Sequence, residues 1–148
     1  MSGFRPNWQA VAALVAGLAS LIGLPFTATM DTGASLLVAA IVVGASVLSL
    51  LKLRPAVEAV ILAVASHGAA WLLIGGLADA FGTATFGYFA SLAAAWLLAW
   101  RLVTVLSEMK LTSVTAQRTI SLVVPAIFGV WILILWEALT RGGGVPFV

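Results

Sequence analysis

The chain has 148 residues, of which 63% are apolar and 8% charged, with a formal net charge of +2 and no cysteine. Its mean hydropathy is +1.19. A domain that folds in water carries about 25% charged residues, so this composition excludes a water-soluble globule and points to lipid as the solvent. The lack of cysteine excludes disulfides, thiol nucleophiles and thiolate metal sites. With five acidic residues and one histidine, little material remains for hydrolytic or metal-centred catalysis, and the expectation is a protein that is not an enzyme.

Crossing a bilayer core of about 30 Å takes roughly 20 mostly apolar helical residues, because each backbone N–H and C=O must be paired internally. Five stretches meet that length, at about 8–26, 34–51, 55–77, 87–106 and 120–139. They predict an all-α, polytopic membrane protein, a bundle of five transmembrane helices forming one domain over 1–148. The first stretch follows Met1 to Asn7 and is longer than a signal-peptide core, so it is expected to stay as a span. A polar loop with Thr27, Thr29, Asp31, Thr32 and Gly33 separates it from the second. Pro55 suits the first turn of the third.

Arg5, Lys52, Arg54, Arg101, Lys110 and Arg118 fall at alternate span ends, on one membrane face, and only Arg141 falls on the other. Basic loops are retained inside, so the N-terminus is expected to be cytoplasmic and the C-terminus periplasmic or outside, in a bacterial inner membrane. The basic residues are dispersed and form no nucleic-acid patch.

Association of spans in lipid depends on close packing, which small residues at four-residue spacing allow. Ala12, Ala16 and Ser20 form such a row on the first span, beside Ala19 and Gly23. Ala40 and Gly44 repeat it on the second, and Gly87, Ser91, Ala95 and Ala99 run down the fourth. These rows serve packing inside the bundle first and other integral membrane subunits second, with lipids covering the rest. Of six tryptophans, Trp8, Trp71, Trp100 and Trp136 read as interfacial anchors, whereas Trp96 and Trp131 lie deeper, where indoles pack on pigments, quinones or neighbouring helices. Glu58, in the first turn after Pro55, is expected to pair with Lys52 or Arg54. Arg101 is expected to snorkel toward Glu108, and Glu137 to pair with Arg141 four residues on.

The one histidine, His67, lies near the midpoint of the third span among small residues, in Ala63-Val64-Ala65-Ser66-His67-Gly68-Ala69-Ala70-Trp71. At that depth an imidazole needs either a hydrogen bond to a neighbouring carbonyl or hydroxyl, or a metal on its lone pair. The spacing of Ala63 and His67 resembles the pigment-binding segment of bacterial light-harvesting polypeptides. That resemblance implies a bacteriochlorophyll magnesium on His67 with Ala63 admitting the ring; haem is the other tetrapyrrole considered.

The last span contains Leu135-Trp136-Glu137, then Arg141, three glycines, Val145 and Pro146. Over about 25 residues this resembles the opening of permease subunits of ABC importers in the nitrate, sulfonate and taurine class. The resemblance implies a permease-derived segment, but the family's cytoplasmic Glu-Ala-Ala coupling loop has no counterpart: Glu58-Ala59-Val60 is the nearest string, with Val64 where the loop has glycine. No Gly-x-x-x-x-Gly-Lys phosphate loop occurs. Three functional expectations follow: a non-catalytic accessory subunit of a larger membrane complex, photosynthetic or respiratory; the front portion of an ABC-importer permease for a small oxyanion or sulfonate; and a small channel or carrier, for which Ser46, Ser66, His67, Ser91 and Thr104 are the mid-membrane polar residues.

Overall fold

A computed structural model describes residues 7–51 and 53–146. The orientation argument's Arg5 and Lys52, and the final residues Phe147 and Val148, lie outside these described residues. Five helices follow one another: α1 (Trp8–Ala19), α2 (Thr32–Leu50), α3 (Pro55–Gly75), α4 (Phe86–Glu108) and α5 (Val114–Glu137). A four-residue 3₁₀ turn, Ser20–Gly23, extends α1, and a π-helical turn, Ala138–Gly142, extends α5. No strand occurs among the described residues. The helices α2 to α5 are each long and apolar enough to cross a membrane.

The first predicted span is corrected. Its helical part is Trp8–Gly23 rather than 8–26, because Leu24 turns to extended backbone ahead of Pro25. Twelve α-helical and four 3₁₀ residues rise about 26 Å, slightly less than the hydrocarbon thickness. The other starts and stops follow local chemistry. Asp31 Oδ1 accepts from Ala34 N at 2.6 Å and caps α2, and Pro55 occupies the first turn of α3. Ser113 caps α5, which therefore starts six residues before the expected 120 and carries Thr115, Gln117 and Arg118 ahead of its apolar part.

Neighbouring helices run antiparallel, and each end of the bundle is closed by polar contacts. At one end Thr27 and Thr29 hydroxyls donate to Gly76 O at 2.6 and 3.0 Å, Thr85 Oγ1 donates to Gly23 O at 2.6 Å, and Gly82 N donates to Arg141 O at 2.8 Å. The loop threonines that look merely polar in the sequence thus satisfy the orphan carbonyls at helix ends. Glu137 and Arg141 pair at 3.2 Å as the spacing predicts.

At the opposite end a network joins four helices. Asn7 Nδ2 donates to Ser49 Oγ at 3.0 Å, Ser49 Oγ donates to Glu58 Oε1 at 2.7 Å, and Arg101 Nε donates to the same oxygen at 2.8 Å. Glu58 is 6% exposed. The expected partner of Arg101 is corrected here: it turns to Glu58 on α3 instead of reaching down its own helix to Glu108, while Lys52, one partner expected for Glu58, lies outside the described residues. A buried carboxylate and a half-buried guanidinium on facing helices neutralise one another, as a charge removed from water requires.

Packing is tightest where α1 meets α4. A Cβ added at Gly23 would sit 2.3 Å from Gly87 N, and one at Gly87 would sit 2.5 Å from Ser20 O. The two backbones therefore touch through paired glycines. The face that α1 buries runs through Ala10, Ala13, Gly17 and Ser20; of the expected row, Ser20 lies on that face, while Ala12 and Ala16 stand half-buried beside it. This setting of α1 places Gly17 against Val42 and Val43 of α2 and brings Gly23 onto Gly87. The central helix is α4, which buries eleven of its residues. By contrast α5 buries Trp131 alone.

Candidate functional site

Small residues on these helices divide into two groups with different surroundings. Gly87, Ser91, Ala95 and Ala99 all lie buried within the chain, so the longest predicted row is spent on the protein's own bundle, with α1 against its Gly87 end. Ala40 and Gly44 on α2 instead face outward. A Cβ at Gly44 or at Gly68 would meet nothing within 4 Å. Both glycines, with Ala40, line an open apolar groove between α2 and α3 whose other walls include Val60, Val64 and Trp71. The exposures of Val64 and Trp71, 70% and 81%, put this groove on the outer surface of the bundle.

His67 lies two-thirds of the way along α3 and faces α5. Its Nδ1 is 3.0 Å from Ala63 O and 3.1 Å from Ser66 Oγ. A carbonyl only accepts, so Nδ1 is the nitrogen that donates here, and the tautomer this selects is the one whose Nε2 carries the free lone pair. Ala63 thereby enters as the backbone acceptor that sets the tautomer. The imidazole also packs edge-on against Trp131, with ring centroids 5.9 Å apart. Among the described residues there is no group of three or more His, Cys, Asp or Glu that could hold a metal ion.

No known protein family, curated protein or solved structure matches the chain.

Ser46 Oγ donates to Val42 O of its own helix at 2.6 Å, whereas Thr104 Oγ1 donates to Trp100 O at 3.1 Å and also accepts from Gln9 Nε2 on α1 at 3.3 Å. Two features escaped sequence reasoning. The Glu58–Arg101 pair joins residues 43 apart, a distance no helical spacing rule spans. Gly68 reads as space around His67 in the sequence, yet it opens onto the α2–α3 groove, about 100° round the helix. Trp131, read in the sequence as lying deep, is 2% exposed and packs on His67, a contact that the docking of α5 makes.

Proposed function

We propose that the chain is a non-catalytic accessory subunit of a larger complex in a bacterial inner membrane, and that a partner's transmembrane helix seats in the α2–α3 groove over Ala40, Gly44 and Gly68. One observation carries this reading. Glycine inside a helix costs about 1 kcal/mol relative to alanine, and Gly44 and Gly68 gain no close contact within the chain in return, whereas Gly17, Gly23 and Gly87 do. Two unoccupied glycines on facing helices suit the close approach of a third helix, which is what drives association in lipid. The sparse packing of α5 supports the same reading, since a helix that buries one residue against its own chain leaves most of its apolar surface for lipid or partner. The resemblance of the last span to an ABC-importer permease enters here as a proposed origin for α5, the helix least tied to the rest.

Extraction in a gentle detergent is expected to carry the wild-type chain in a stoichiometric complex larger than itself. Gly44→Leu should release it as a free chain with an unchanged melting temperature, because the added side chain projects into empty groove. Recovery of the wild type as a free monomer would overturn the proposal, and so would a Gly44→Leu variant that stays in the complex.

A second reading concerns His67. Its fixed tautomer directs an unprotonated Nε2 away from Ala63, the arrangement in which an imidazole ligates a metal while its other nitrogen holds the backbone. We propose a tetrapyrrole, bacteriochlorophyll or haem, as the group that this nitrogen would ligate. His67→Leu is then expected to remove an absorption band from the isolated complex. A spectrum that does not change on substitution would retire the cofactor.

A further inference from the structure

Helix α5 is docked over one half of its length and stands off the bundle over the other. From Ile127 to its C-terminus it is held. Ile127, Ile134 and Leu135 pack on the core, and Trp131 and Ala138 are buried. The backbone beyond is clamped, because Gly82 N donates to Arg141 O at 2.8 Å and Ala84 N to Gly142 O at 3.3 Å. From Val114 to Ala126 every residue is exposed or half-buried. The side chains that hydrogen-bond there do so within their own segment: Gln117 Nε2 donates to Leu111 O, Thr119 Oγ1 to Thr115 O and Ser121 Oγ to Arg118 O. An apolar recess lies where the helices part, between Ala99 and Val103 on α4 and Ile127, Phe128 and Trp131 on α5.

The boundary between the two halves coincides with Pro125, the proline inside the helix. It has no N–H for Ser121 O and its ring crowds that carbonyl, so the helix bends most readily there. Gly129 follows one turn on, and a Cβ at that position would meet nothing within 4 Å among the described residues. Packing gives no reason for a glycine here, whereas backbone freedom does. The free half nevertheless carries a seam for docking. Ala116, Ile120 and Val124 continue the stripe of Ile127, Trp131, Ile134 and Ala138 at spacings of three and four, so they share the face that α5 turns to the bundle. On α4, Val103 and Leu106 continue the row of Ala99 toward the C-terminus, and both are half-buried. The unused seam is thus continuous with the existing α4–α5 contact, and the surface it matches belongs to α4 of the same chain. The five-residue connection Met109–Ser113 spans at most about 17 Å and keeps the two within reach.

We infer that the N-terminal half of α5 is a flap hinged at Pro125 and Gly129. It moves between the open position described above and a closed one, in which Val124 and Ile120 seat on Leu106 and Val103 of α4 and the recess is covered. The twelve residues Val114–Pro125 make a lever about 18 Å long, and a proline kink of about 20° carries its tip about 6 Å. Both positions concern one chain and leave the α2–α3 groove untouched, so the flap does not depend on the accessory-subunit reading.

The chain has no cysteine, so spin labels can be placed on introduced ones in the full chain in lipid nanodiscs. Leu48→Cys on α2 with Val114→Cys at the flap tip reads the free half, and Leu36→Cys with Leu133→Cys reads the docked half; all four positions are exposed. Double electron–electron resonance is expected to show two distance populations about 6 Å apart for the first pair and a single narrow one for the second. The hinge variant Pro125→Ala/Gly129→Ala should merge the first pair into one population and leave the second unchanged. If that variant does not fold, the contrast between the two pairs in the otherwise wild-type chain decides the question. A single population for the first pair without the hinge substitutions, the same spread for both pairs, or a folded hinge variant that keeps both populations would each overturn the inference.

Discussion

Gly87→Ala is expected to destabilise the purified protein by about 3 kcal/mol, the upper end of what overpacking a well-fitted interior costs. The reason lies in what the new methyl group meets. A Cβ at this position falls 2.5 Å from Ser20 O, 2.7 Å from Gly23 O and 2.9 Å from Gly23 C. All three are backbone atoms, so no side chain can rotate out of the way, and α1 as a whole must move off α4. Gly68→Ala supplies the contrast, since nothing lies within 4 Å of its Cβ position. That variant should be unchanged or more stable by about 0.5–1 kcal/mol, through helix propensity and a less mobile unfolded chain. Detergent-solubilised unfolding, by heat or by sodium dodecyl sulfate titration, reads both. Equal responses of the two variants would mean that α1 and α4 do not touch through their glycines.

Arg101→Met is expected to cost about 3 kcal/mol, the lower end of the penalty for breaking a buried pair by removing one partner. Glu58 is 6% exposed, and Arg101 supplies two of its contacts, at 2.8 and 3.3 Å. Without the guanidinium, the carboxylate keeps, among the described residues, only the 2.7 Å hydrogen bond from Ser49 Oγ, a neutral donor that does not balance its charge. The double variant Glu58→Leu/Arg101→Met removes both charges together. It should recover much of the loss, because two apolar side chains of similar volume replace an ion pair at small net cost. The same unfolding titration measures the coupling between the sites. Additive single and double losses would show that the two residues do not interact.

These two expectations rest on contacts with different standing in the sequence. Gly87 was visible as the head of a row with Ser91, Ala95 and Ala99, and small residues at that spacing always announce a close approach by something. That the visitor is the end of α1 was not visible, because Gly23 belongs to a row of its own and no local rule joins residues 64 positions apart. Glu58 and Arg101 were each legible as charges needing neutralisation. Local rules assigned them to neighbours on their own segments, and the antiparallel packing of α3 on α4 gave them to one another. His67 was legible as a polar group at depth, and its helix offered the Ala63 carbonyl four residues back without help from any other element. Its packing on Trp131 required α5 to dock.

Composition and apolar run length determined the helical class, the approximate position of every helix and that four of them are long and apolar enough to cross a membrane, since a long apolar segment has no alternative to internal hydrogen bonding away from water and that constraint acts on each segment separately. Caps and breakers such as Asp31 and Pro55 determined where helices begin for the same local reason. Tertiary structure alone decided which face each helix buries, that the α4 row is consumed internally while Gly44 and Gly68 stay open, and that Trp131 closes a cleft. Those outcomes depend on the rotation and crossing of whole helices, to which side chains far apart in the chain contribute together.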